Sequence, residues 1–141
     1  MSSSIVHSVR KARQIAVFID DVPGTLSEVT SLLSRQGLNI YALSLAEGIG
    51  HGYVRMVVDN PDEAIRVLRE AEELVIEREV LLVDLVNVRG ALGDMTRQLA
   101  EAGINLEYAY CAGGPSVEKG LVIVRVDQTE KALAVLGGEG R

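Results

Sequence analysis

Cysteine, histidine and tryptophan are almost missing from this chain: among 141 residues there is one Cys, two His and no Trp. A single Cys111 forms no internal disulfide, so nothing marks an oxidising compartment. Together with His7 and His51 it falls short of the ligand set of a closed structural zinc site, and no metal or cofactor is expected. Aromatic residues make up only 4%, and basic residues are outnumbered 20 to 14, for a formal charge of -6. That balance has the wrong sign for a phosphate backbone, which excludes nucleic acid as the expected partner. No run approaches the roughly 18 consecutive apolar residues of a membrane span, and the N-terminus has no apolar signal region. The expected location is the cytoplasm, with no membrane partner.

What the chain does have is apolar content, 48%, enough for a folded core. Its length fits one ordinary domain or two very small ones. An internal repeat decides between them. The stretch from Pro23-Gly24-Thr25-Leu26 to Gly37-Leu38-Asn39-Ile40 recurs 66 residues on, from Arg89-Gly90-Ala91-Leu92 to Gly103-Ile104-Asn105-Leu106. Further along the offset becomes 68, with Val58-Asp59 answered by Val126-Asp127. A two-residue insertion in the intervening turn accounts for the change.

Periodicity assigns the same elements to both copies. Ile15, Val17 and Ile19 alternate as a strand does, and so do Leu81, Val83 and Leu85. Leu26, Val29 and Leu33 lie on one helix face, matched by Leu92, Met95 and Leu99. Gly37 and Gly103 stand where a helix end needs a left-handed residue. The runs 39–46 and 53–58 flank a glycine-rich turn and predict a hairpin, as do 105–111 and 121–126. Asn60-Pro61 opens a second helix through Glu70, and 127–136 does the same in the second copy. Residues 74–77 close the first copy as a fourth strand. The expected fold is therefore α+β: two ferredoxin-like βαββαβ modules, with antiparallel sheets and helices on one face. The divisions are 1–12, an N-terminal arm, then modules at 13–78 and 79–141. The second copy runs out before its fourth strand, which is either absent or supplied by Ile5, Val6 and Val9 of the arm.

The strand-to-helix junctions carry the chemistry, reading Asp20-Asp21-Val22-Pro23-Gly24-Thr25-Leu26 and Val86-Asn87-Val88-Arg89-Gly90-Ala91-Leu92. Unpaired N–H groups and the positive end of a helix dipole point into space there, and such a terminus holds a small anion such as a carboxylate. Gly24 and Gly90 let a ligand approach the backbone. Asp21 and Asn87 offer oxygens to an ammonium group, and Asn39 and Asn105 add amides that donate and accept. With Leu26, Ile40, Leu92 and Leu106 alongside, the set resembles a socket for an α-amino acid. The same residue types are also ordinary capping and turn chemistry.

The pattern Asp-x-Pro-Gly-x-Leu, an amphipathic helix, then Gly-Leu-Asn-Ile and a hairpin resembles the ACT domain, a regulatory module of amino-acid metabolic enzymes. From Gln14 to Leu136 the chain is similar to free-standing tandem ACT proteins, which have no catalytic domain. The resemblance implies sheets pairing side by side and a non-catalytic sensor binding an amino acid near these loops, at the interface between modules. It also implies a homodimer and a partner enzyme of amino-acid metabolism. The contacts it carries over are Asp21, Gly24, Leu26 and Asn39, and Asn87, Gly90, Leu92 and Asn105. Arg89 departs from the pattern, standing where Pro is usual. The alternative function is a structural subunit that keeps the fold without a ligand.

Other motifs lead nowhere chemical. Gly48-Ile49-Gly50-His51-Gly52 opens no helix, so it is a turn and not a nucleotide loop. His51 has no nucleophile and acid at useful spacing. Tyr108 and Tyr110 share one strand face as packing residues, and Cys111, on the other face, is expected to be a buried small hydrophobe.

Overall fold

β-branched residues in alternation make the first strand, β1 (Val6–Asp20), and the amphipathic stripe after it makes helix α1 (Thr25–Arg35). A hairpin follows, β2 (Ile40–Glu47) and β3 (His51–Val58), then α2 (Pro61–Glu70) and β4 (Leu74–Val86). The second repeat continues with α3 (Ala91–Glu101), β5 (Leu106–Ala112), β6 (Lys119–Val126) and α4 (Thr129–Gly137). This computed structural model describes residues 5–137. Hydrogen bonding orders the strands of one antiparallel sheet as β2-β3-β1-β4-β6-β5. The fold is α+β, as expected, with one difference: six strands, two of them long, stand where separate short ones were read. Nothing between 10–13 or 78–80 is Gly, Pro or Asn, so no turn chemistry interrupts β1 or β4.

The chain divides into two compact units, one being Arg13–Arg78 and the other the described residues up to Ala12 together with those from Glu79 onward. In the first unit β3 lies between β1 and β2, with Ile15 opposite Met56 and Val17 opposite Val54. One face of these strands meets Val29 and Leu33 of α1 and Ala64, Val67 and Leu68 of α2 in a core sealed from solvent. Each of the Val and Leu side chains contributes about 1.5–3 kcal/mol by leaving water.

The second unit repeats the arrangement. Leu81 faces Val124, Val83 faces Val122, and this face buries Ala91, Met95 and Leu99 of α3 and Ala132 and Leu136 of α4. Val6 and Val9 from the start of β1 join the same core, 6% and 1% exposed. The N–H of Val86 donates to the carbonyl of Ile5 at 2.8 Å, and the Ser8 hydroxyl donates to Asp84 at 2.7 Å. Lys11 adds an ion pair to Glu130 of α4 at 2.6 Å.

Helix ends follow local chemistry. After α1, Gly37 takes φ 77°, and the N–H of Leu38 reaches back to Leu33 at 3.1 Å. Gly103 (φ 75°) and Ile104 repeat this after α3. Asn60 caps α2 by accepting from the N–H of Glu63 at 3.3 Å, with Pro61 in the first turn.

Candidate functional site: two matched cavities

At both strand-to-helix junctions the chain turns on a glycine in the left-handed region, Gly24 at φ 96° and Gly90 at φ 87°. The glycine carbonyl accepts the first helical bond, from Glu28 in one unit and Asp94 in the other, each at 2.9 Å. Neither helix has a side chain capping its N-terminal N–H groups, in contrast to α2. The N–H groups of Thr25 and Ala91 donate to the loop carbonyls of Val22 at 3.5 Å and Val88 at 3.2 Å, and the first-turn donors that follow them have no side-chain partner.

A cavity opens beside each of these ends. In the first unit it measures about 170 Å³ and is lined by Ile19, Asp20, Asp21, Val22, Gly24 to Ser27, Leu45 to Glu47, and Gly52. Thr25 braces the loop, its hydroxyl donating to the carbonyls of Asp20 at 2.9 Å and Val22 at 3.2 Å. Gly52 leaves room that no other residue would: a Cβ there would stand 2.7 Å from the carbonyl oxygen of Ala46.

In the second unit the cavity is larger, about 230 Å³, lined from the junction by Leu85 to Val88, Ala91 and Leu92 and from the hairpin by Cys111 to Gly114, Val117 and Gly120 to Val122. Asn87 ties the two sides together. Its side-chain Nδ2 donates to the carbonyl of Val117 at 2.8 Å, and its backbone N–H donates to that of Glu118 at 2.9 Å. The amide Oδ1 is the end of that side chain able to accept from a ligand.

Of the residues singled out in the sequence, Asp21, Gly24 and Leu26 meet at the first cavity, and Asn87 and Leu92 at the second, with Gly90 opening its helix. The other four stand at the far ends of α1 and α3. An eleven-residue helix separates its ends by about 16 Å. There Asn39 and Asn105 serve turns through their backbones: each N–H donates to an aspartate, Asp59 or Asp127, at 3.0 Å. Each carbonyl accepts from the same aspartate's N–H, at 3.1 and 3.2 Å. Ile40 and Leu106 pack against the cores of their units.

Cys111 requires a correction. It is exposed, not a buried hydrophobe, and stands in the wall of the second cavity. It lies opposite Val122, but β5 is an edge strand, so covering by neighbouring elements falls away there. The hairpin residues of both cavities escaped the sequence reading; their signal was their match across the repeat, Leu45 with Cys111 and Glu47 with Gly113, each 66 residues apart. Among the described residues no group of His, Cys, Asp and Glu is arranged to hold a metal, and no helix is long and apolar enough to cross a membrane.

Comparison with known proteins agrees with this architecture. Residues 10–138 match the family described as the ACT domain pair. The protein BT0572 from Bacteroides thetaiotaomicron is 29% identical, with a TM-score of 0.84 over 90% of this chain and 87% of that one. The regulatory subunit of aspartate kinase from Thermus thermophilus, in its ligand-free form, shares the fold at 22% identity and a TM-score of 0.68, covering 94% of this chain and 96% of its own. The corresponding subunit from Thermus flavus does so at 19% and 0.65, covering 94% of each. No curated protein matches the chain. With the family match running through both repeats, the chain belongs to the ACT domain pair family.

Proposed function

We propose that this ACT domain pair is a non-catalytic regulatory protein that binds an amino acid at its strand-to-helix loops. The carrying observation is the pair of matched cavities, each beside a helix whose first-turn N–H groups have no side-chain cap. An α-carboxylate suits those donors and the helix dipole. Asp21 in one unit and Asn87 in the other, both in the cavity wall, offer oxygens that accept from the α-ammonium. Apolar residues of the wall receive the side chain.

A regulatory role needs a partner, and an enzyme of amino-acid metabolism fits one. The names of the two Thermus proteins, regulatory subunits of aspartate kinase, support that reading. Binding would favour the folded, assembled form by mass action and so couple ligand to partner. Association of two copies fits the edge strand β2, where Tyr41 and Leu45 are half exposed. The same edge favours the second reading, a subunit that acts through its sheet edge without any ligand.

A thermal-shift panel of the amino acids separates the two. At a concentration about a hundredfold above Kd, a ligand adds about 2.7 kcal/mol, which raises the melting temperature by about 5–10 °C. A panel in which no amino acid moves the melting temperature at millimolar concentration overturns the sensor reading and leaves the ligand-free subunit.

A further inference from the structure

The two cavities occupy equivalent places, yet their walls differ in one consistent respect. Three carboxylates line the first, Asp20, Asp21 and Glu47. Sixty-six residues on, those positions hold Val86, Asn87 and Gly113, which line the second. Each acid of the first copy is thus answered by a neutral residue. The apolar positions are kept: Ile19, Val22 and Leu26 correspond to Leu85, Val88 and Leu92. No Asp, Glu, Lys, Arg or His lines the second cavity.

Exposed apolar surface points to the same place. The large hydrophobics left exposed in the second unit, among the described residues, are Val88 at 57%, Leu92 at 47% and Val117 at 41%. All of them line the cavity. Exposed apolar side chains gathered around one concavity mark a surface that is covered by something else.

From these observations we infer that, within the amino-acid-binding role proposed above and resting on it, the two sockets are not equivalent. The second binds a free amino acid with an uncharged aliphatic side chain, and the first does not bind that ligand. At about 230 Å³ against about 170 Å³, the second cavity is also the roomier of the two. A charged side chain in this neutral wall would lose its water and find no opposite charge. In the first cavity three acids share the wall, so repulsion works against an α-carboxylate unless the ligand's side chain brings a positive charge.

Calorimetric titration of the whole protein with leucine, valine, lysine and aspartate tests this. The expected result is one leucine or valine bound per chain, with lysine and aspartate at least about tenfold weaker at that site. Val88→Asp and Leu92→Asp, both on exposed side chains, each weaken leucine by about tenfold or more while the melting curve shows the variant folded. Ile49→Asp, on the hairpin loop and outside both cavities, leaves it unchanged. Two equal leucine sites per chain, or one site indifferent to both Val88→Asp and Leu92→Asp in folded protein, overturns the inference and leaves the sensor reading standing. Binding of lysine or aspartate without leucine or valine does the same. Silence from every amino acid overturns both.

Discussion

Glu72 is the one described residue other than glycine with a positive φ, 66°. It ends α2 as Gly37 and Gly103 end α1 and α3, with the N–H of Glu73 returning to Leu68 at 3.0 Å. A side chain in that conformation costs roughly 1–2 kcal/mol, and glycine recovers part of it against a looser unfolded chain. Glu72→Gly is therefore expected to raise stability by about 0.5–1 kcal/mol, read by urea denaturation. Gly24 and Gly90 show the opposite case. Ala at either meets open space but keeps the strained φ, so it is expected to lower stability by about 1–2 kcal/mol. Asn105 stands apart from the cavity lining of its own unit. Its nearness in sequence to a helix end suggested a ligand contact, while the helix carries it about 16 Å from the cavity end. Asn105→Ala is accordingly expected to leave ligand affinity unchanged, and Asp127→Ala to cost about 1–2 kcal/mol through the turn it holds.

The elements were legible to different degrees. Most of each helix stripe, such as Met95 and Leu99, and the glycine stops stand in the sequence because a period of 3.6 and a positive φ each demand particular residues, whereas Leu92 is 47% exposed and Ala91 takes its place in the core. The lengths of β1 and β4 were not legible, since a strand continues through charged residues as readily as it stops without a turn. The charges in the middle of these strands do have partners. Arg13 meets Glu77 of β4 and, at 2.7 Å, Asp62 of α2. The Asp62 carboxyl is held below its usual range, first by the hydrogen bond from Arg13 and then by its charge. Arg66 lowers Glu63 in the same way. A carboxyl with a depressed pKa stabilises the fold above the unfolded-state value and loses that contribution as pH falls through its folded value. Stability is expected to fall below about pH 4, and Asp62→Asn to flatten that decline, measured as melting temperature against pH.

On the scale of the whole molecule, the repeat told most of the story. A constant offset of 66 announced two modules, and the family match over 10–138 and the sheet of six strands agree with it. The source of a fourth strand for the second repeat stayed open in the sequence because Ile5, Val6 and Val9 lie about eighty residues from the part of the strand they neighbour. Such long-range pairing leaves no local signal. In the structure Val9 is 1% exposed within that unit's core. Val9→Asp is expected to cost about 3 kcal/mol or more, with calorimetric melting as the measure. The chemical contrast between the two cavities was present in the sequence as Asp20, Asp21 and Glu47 against Val86, Asn87 and Gly113. It became readable only once the hairpin residues were known to share a wall with the junction. Backbone amide spectra of the labelled protein titrated with leucine address the central claim most directly. Amide shifts confined to 86–93 and 111–122, with 20–27 and 45–52 unmoved, are expected; no shifts with any amino acid, or shifts centred on 39 and 105, would contradict it.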